Sequence, residues 1–231
     1  MKYSIERTVF EINSEIKFGI LIGKNIKNSE TTTEDENRLR NSEEKMREKV
    51  KAEELRSLHN VYYYRDVMTK AGINPNKYPA SVEAMFKRII KGGSLPKINA
   101  LVDLCNAVSI EQIISLGGHD LSDIHEDLEV RFSKEGDKFI PFGFNDYEAV
   151  DKNELVFTSG NNVQTRKWVW RQSELGKITL DSNNVFFQLV GFKDDPSLSN
   201  AMDEIENLII KRFNGNCEKY LVDINNSSIE F

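Results

Sequence analysis

The sequence predicts an α+β fold with a mainly antiparallel sheet and helices packed on it. Three observations carry that expectation. The order of elements is strand, helices, several strands, helix, strand, which does not alternate as a doubly wound parallel sheet would. Apolar residues recur at helical spacing through the first half and then at a period of two from Asp127. Glycine and proline punctuate the boundaries between these stretches.

Thr8–Ile12 and Glu15–Gly23 are short, rich in Ile and Phe, and divided by the polar turn Asn13-Ser14, so both are expected as strands. Asn25 to Thr33 clusters Asn, Ser and Thr and suggests a loop. Glu34 to Leu58 is built from Glu, Lys, Arg, Met and Leu, good helix formers whose alternating charges suit a solvated helix. Val61–Ala71 continues as a second helix, stopped by Gly72 and Pro75. Ser81 is a candidate N-cap for a helix with the stripe Val82, Met85, Phe86, Ile89 and Ile90, ended by Gly92-Gly93. After Pro96, Ile98, Leu101, Val102, Cys105 and Val108 form the next stripe. Ser109-Ile110-Glu111-Gln112 has the capping-box pattern of a third, short helix, and Gly117-Gly118 would terminate it.

Leu128, Val130 and Phe132 alternate with polar residues, a half-buried strand. Further strands are expected over Lys138–Phe142, Leu155–Thr158, Val163–Arg171, Lys177–Leu180 and Val185–Phe192. Asp195-Pro196 opens a helix faced by Leu198, Ala201, Ile205, Leu208 and Ile209, and Glu218–Ile224 is a last strand. These elements are expected to form one unit over residues 1–231, in which an N-terminal strand pair and charged helical region (1–75) lead into a core over 78–225.

Composition narrows the function classes. The chain has 231 residues, net charge −6, 39% hydrophobic and 29% charged residues, an ordinary globular balance. Its acidity argues against a general nucleic-acid coat and leaves room for a local basic patch. Cys105 and Cys217 do not make a disulfide scaffold and suggest a reducing compartment. No apolar run approaches the roughly 20 residues that span a bilayer, and Lys2, Glu6 and Arg7 interrupt any leader-like start, so a cytoplasmic protein is expected.

Signatures for nucleotide-phosphate loops, nucleophile elbows and His-Glu-x-x-His zinc sites are missing. His119, Asp120, Asp123 and His125 lie close in sequence, but their spacing fits no zinc pattern and suits a polar turn. Cys105 lies in an apolar stripe, where a free thiol is usually inert. No metal, cofactor or covalent nucleophile is therefore expected, and no catalytic residue is assigned.

Three groups remain. Asn99, Asp103 and Asn106 share one helix face; they suit either a solvated polar face or the wall of a hydrogen-bonding pocket. In Thr165-Arg-Lys-Trp-Val-Trp-Arg-Gln172 a continuous strand would put Arg166, Trp168 and Trp170 on one face, either as core with flanking cations or as an aromatic floor for a ligand. Arg166 is expected to reach solvent beside such a floor or to pair with Asp103 or Asp120. Lys87, Arg88, Lys91 and Lys97 surround Gly92-Gly93, as a solvated helix end or as a phosphate-contacting cluster.

The run Pro79-Ala-Ser-Val-Glu-Ala, then Arg88, Lys91-Gly-Gly-Ser-Leu-Pro96, Asn99, Val102-Asp-Leu-Cys-Asn-Ala-Val-Ser109 and Leu116-Gly-Gly-His-Asp-Leu121 resembles the B3/B4 domain, the tRNA-editing module of the phenylalanyl-tRNA synthetase beta chain. Leu128–Phe132, Glu154–Val156 and Thr165–Gln172 are similar to stand-alone bacterial proteins built on that domain. The resemblance covers Tyr78 to Phe192. It implies a pocket between helices and sheet and a free-standing factor that hydrolyses mischarged aminoacyl-tRNA in trans with a positioned water. The alternative is a module that binds an amino acid or an aminoacyl-tRNA end without chemistry. DNA and membrane partners are not implied. Asn99, Asp103, Asn106, Asp120, Arg166, Trp168, Trp170 and Gln188 are the implied substrate contacts. In the synthetase pattern a threonine stands where this chain has Cys105, an editing-site histidine where it has Gly117, and a glutamate where it has Gln188. Those departures point to an ester other than tyrosyl, or to binding without chemistry.

Overall fold

A computed structural model describes residues 1–231. The helices are α1 (Arg7–Ile12), α2 (Thr33–Lys49), α3 (His59–Lys70), α4 (Ser81–Ile90), α5 (Ala100–Gln112) and α6 (Ser197–Asn207), the last continued by a π turn over Leu208–Arg212. The strands are β1 (Lys2–Ile5), β2 (Ile16–Lys24), β3 (Ser115–Asp120), β4 (Leu128–Phe132), β5 (Lys138–Phe139), β6 (Glu148–Ala149), β7 (Leu155–Ser159), β8 (Asn162–Arg166), β9 (Arg171–Gln172), β10 (Val185–Phe192), β11 (Asn216–Val222) and β12 (Ser228–Glu230). The larger sheet runs β12-β1-β4-β7-β8-β5-β6, with β9 beside β8; the smaller runs β11-β2-β10-β3. Pairing is antiparallel except for β1–β4 and β5–β8. No helix is long and apolar enough to cross a membrane.

The two central strands of the smaller sheet are buried on both faces, which explains why β2 and β10 are almost uninterruptedly apolar. On β10, Phe186, Val190 and Phe192 pack in the core shared with the larger sheet, while Val185, Phe187 and Leu189 pack under α5 and α6. On β2, Ile16, Phe18, Ile20 and Ile22 face the first core. Gly19 sits on the opposite face because α6 lies so close: a Cβ there would stand 2.5 Å from Met202 Sδ.

Several expectations need correction. Thr8–Ile12 is not a strand but most of α1; Val9 and Phe10 are both buried, which adjacent residues of a one-sided strand could not be. Ser109–Gln112 does not start a third helix but completes α5. The Ser109 hydroxyl donates to Ile114 O, and Glu111 accepts from Arg38 and Ser42 instead of closing a capping box. The helix ends at Ile113 in the left-handed region (φ 55°), a stop that glycine would normally announce. Gly117-Gly118 is not a terminator but the centre of β3. Gly118 is needed for close packing, since a Cβ would meet Ile178 Cδ1 at 2.6 Å. Lys177–Leu180 forms no strand and instead drapes over that glycine. Ala80, not Ser81, occupies the N-cap of α4. β1 and β12 are strands the sequence pattern did not reveal; they are short, and β1 lies between β12 and β4.

Candidate functional site

β3 is an edge strand of the smaller sheet, and a cavity opens on each side of it. An inner cavity of about 80 Å³ lies between β3, β10, the start of α4 and the segment after β8. An outer cavity of about 420 Å³ lies between β3, the first turns of α5 and residues 177–180. Leu116 and Gln172 line both, so the two cavities meet around the strand edge. Gln172 is fixed there, with Nε2 donating to Gly118 O at 2.8 Å.

Side-chain alternation along β3 decides which cavity each residue serves. Ser115, Gly117 and His119 line the inner one, and Gly118 lines the outer one. Opposite them on β10, Gln188 pairs in register with Gly117. Its Oε1 accepts from the Tyr3 hydroxyl at 2.7 Å, which fixes the amide at the cavity wall. The His119 ring is buried edge-on to Phe157, with Nδ1 3.4 Å from Gln172 Nε2. Burial lowers its pKa to about 3, against a smaller opposing effect of the Gln164 side chain, so the imidazole is neutral near pH 7. A Cβ on Gly117 would stand 3.3 Å from His119 Nε2.

The outer cavity divides the three polar residues of α5. Asn99 and Asn106 line it, whereas Asp103 does not. Asn99 is the N-cap of α5, its Oδ1 accepting from Val102 N at 3.0 Å, so it also holds the helix start in place. Asp103 is fully buried and accepts from Thr31 Oγ1 at 2.7 Å and Ile98 N at 3.0 Å. It orders the loop before the helix rather than facing the cavity. Cys105 also lines the wall, and burial pushes its thiol up to about 12, which leaves it a poor nucleophile. Ile98, Phe142 and Leu180 are exposed apolar residues around the outer lining, and Lys177, which pairs with Glu174, is its one cation.

The tryptophan segment departs from the expected continuous strand. β8 stops at Arg166; Lys167 and Trp168 adopt left-handed φ of 48° and 66°, and pairing resumes in β9. Arg166, Trp168 and Trp170 therefore share no strand face. Trp168 turns fully inward against Tyr64, and Trp170 stacks edge-on with Tyr78; both line the inner cavity. Arg166 reaches neither Asp103 nor Asp120. Its Nη2 meets Glu154 Oε2 at 2.6 Å and Asp151 at 3.3 Å, because Glu154 directly precedes the neighbouring strand β7. Lys167 Nζ adds a second cation to Glu154 at 2.6 Å. Burial opposes ionisation of Glu154, yet the hydrogen bonds from Arg166 and Lys167 prevail and hold its pKa below the ordinary value.

Asp120 lines neither cavity; it bonds Ser182 Oγ and accepts from Ser122 N at 2.9 Å. Lys87 pairs with Glu83 at 2.7 Å, Arg88 Nε donates to Ser94 O at 2.7 Å, and Lys97 pairs with Glu36 at 3.1 Å. Lys91 is exposed just past the end of α4. Ser81 at the other end of that helix lines the inner cavity, so Lys91 lies roughly 15 Å away at 1.5 Å per residue. Sequence reasoning missed His119, Gln172, Ser115 and Lys177 as cavity residues. The signal available for His119 was its spacing of two from Gly117, visible only once 115–120 is seen as a strand. No three His, Cys, Asp or Glu side chains converge as a metal-holding group.

No curated protein matches the chain. Among solved structures, it is similar to an N-terminal fragment of the phenylalanyl-tRNA synthetase beta-subunit from Pyrococcus horikoshii, at 12% identity and a TM-score of 0.43. The similarity covers 95% of this chain and 53% of that one, so the chain spans about half the length of that fragment. The family model of the B3/4 domain matches residues 63–211, which contain α4, α5, β3 and β10 and with them the walls of both cavities, and the chain belongs to that family.

Proposed function

We propose that this chain binds the aminoacylated 3′ end of tRNA and hydrolyses mischarged esters in trans. One observation supports the reading above the others: the larger cavity and the smaller one meet at Leu116 and Gln172 around the edge of β3. That arrangement suits a two-part ligand, with the terminal nucleoside in the outer cavity and the amino-acid side chain in the inner one. The ester then lies at the junction, beside Gln172 and the β3 backbone. Phe142, Ile98 and Leu180 offer apolar contact to a base, and Lys177 a charge to a phosphate.

The resemblance puts the family's editing histidine at Gly117. Here the His119 ring, two residues on and on the same strand face, has its Nε2 3.3 Å from where a residue-117 Cβ would be. A neutral imidazole at that place can orient a water for attack on the carbonyl carbon. The water's oxygen forms the new C–O bond, the ester C–O bond to the ribose breaks, and a proton passes to the ribose oxygen. Free amino acid and tRNA leave. With the Cys105 thiol held protonated, water is the nucleophile.

A second reading is favoured by the low basicity of His119 and by linings without a carboxylate: the site recognises an aminoacyl-tRNA end and does not hydrolyse it. A deacylation screen over tRNAs mischarged with different amino acids separates the two. Release of amino acid above the spontaneous rate, lost in His119→Ala, supports hydrolysis. Saturable binding without release supports recognition alone, and the absence of binding at tens of micromolar tRNA refutes both.

A further inference from the structure

We propose that the inner cavity is a side-chain specificity pocket for a small, uncharged, hydrogen-bonding group, above all an aliphatic hydroxyl, and that it rejects an aryl side chain. The inference rests on the reading that the joined cavities hold an aminoacyl group, and it adds which class of amino acid that group belongs to.

Size comes first. The inner cavity measures about 80 Å³. A cavity that binds benzene is about 150 Å³, so a phenyl or phenol ring does not enter without moving the walls. Those walls do not yield cheaply. Trp168 is fully buried in a left-handed backbone conformation, and Gln188 is tied to Tyr3.

Chemistry comes second. Two residues of the lining each carry a buried polar atom without any hydrogen-bond partner: Ser115 Oγ and Trp168 Nε1. Ser115 is 3% exposed and Trp168 0%. An orphaned buried donor costs free energy, and such groups are rare enough in folded proteins to need a reason. A ligand that completes both is such a reason. Trp168 offers only a donor, so the ligand must present an acceptor; Ser115 can donate or accept. A hydroxyl carries both a donor and an acceptor. An ammonium offers no acceptor, and a carboxylate would enter a lining without a cation. Gln188, whose Oε1 is already committed to Tyr3, has amide hydrogens to spare for an acceptor on the ligand. Seryl and threonyl esters therefore match the cavity in size and polarity, and tyrosyl and phenylalanyl esters do not.

The test uses hydrolysis-resistant 3′-aminoacylamido adenosines carrying seryl, threonyl, alanyl and tyrosyl groups, with affinities measured by calorimetry on the full chain. The seryl and threonyl compounds should bind at least about tenfold more tightly than the tyrosyl one, and the seryl compound several-fold more tightly than the alanyl one. Ser115→Ala and Trp168→Phe, each checked by thermal melting, should bring the seryl-to-alanyl ratio close to one. Ser115→Ala removes an unpaired hydroxyl and should fold normally, which guards against a failure of the tryptophan variant. Tyrosyl binding as tight as seryl, or a seryl-to-alanyl ratio that Ser115→Ala leaves unchanged, overturns the side-chain assignment while leaving the aminoacyl-end reading standing. If none of the four compounds binds, both fall.

Discussion

Glu154→Gln probes the turn that carries Trp168 into the cavity wall. The carboxylate side chain is 2% exposed and meets Arg166 at 2.6 Å and Lys167 Nζ at 2.6 Å, and those partners are themselves only 12% and 9% exposed. Its Oε1 also accepts from the backbone N–H of Lys167 at 3.0 Å, the first of two successive left-handed residues. Removing one partner of a buried pair costs about 3–5 kcal/mol. Asp151, 78% exposed, still reaches both cations at 3.3 and 3.5 Å, which argues for the lower end, about 3 kcal/mol. For a chain of this size that is a fall in Tm of roughly 6–12 °C. The same variant loosens the strained pair, each member of which costs about 1–2 kcal/mol to hold, so the fluorescence of the buried Trp168 should change as well. Urea denaturation followed by tryptophan fluorescence measures both. The difference from wild type should shrink in acid. Glu154 has a lowered folded-state pKa, so its contribution is present above the ordinary glutamate value and is lost as pH falls through the folded one. A variant within 1 kcal/mol of wild type at neutral pH would refute the claim that this carboxylate holds the turn.

Two further outcomes follow from the same geometry. His119 has a folded pKa of about 3 against an unfolded 6.5, so the unfolded chain takes up a proton that the folded chain refuses, and stability falls as pH drops through that window. Between pH 7.5 and 5.5 the wild type should lose about 1.4 kcal/mol more than His119→Asn, read from urea midpoints; equal losses would mean that the ring is not buried as described. Lys177→Ala should weaken binding of an aminoacyl-tRNA end and lower its log–log salt slope by roughly 0.7, as removal of one single-strand phosphate contact does, whereas Lys91→Ala should change the slope less.

How much was legible depended on whether local pattern and tertiary demand agreed. Leu128–Phe132 and Val185–Phe192 were readable because alternation and continuous burial are both properties of the chain itself. The segment from Ser109 to Asp120 was misread because its signals are inverted. Ile113 does a glycine's work at the end of α5, and Gly117-Gly118 sits within a strand, where Gly118 serves close packing under Ile178. The α5 face shows the same limit at the site. Asn99 caps α5 from just outside it while Asp103 and Asn106 lie within the helix, and short polar side chains suit a cap, a buried loop anchor and a cavity wall equally well. For Asp103 the use is decided by Ile98 N, from the segment just before the helix, and by Thr31, brought there by the packing of a loop some seventy residues away in the chain. The tryptophan segment goes one step further. Nothing in Arg-Lys-Trp-Val-Trp marks a left-handed turn, since neither Lys nor Trp favours one. The turn exists because Glu154, just before the adjoining strand, gathers Arg166, Lys167 and a backbone N–H onto one carboxylate. The inner cavity is thus shaped by an ion pair that does not touch it, and the size of the side chain it admits is set as much by Glu154 as by the residues of its lining.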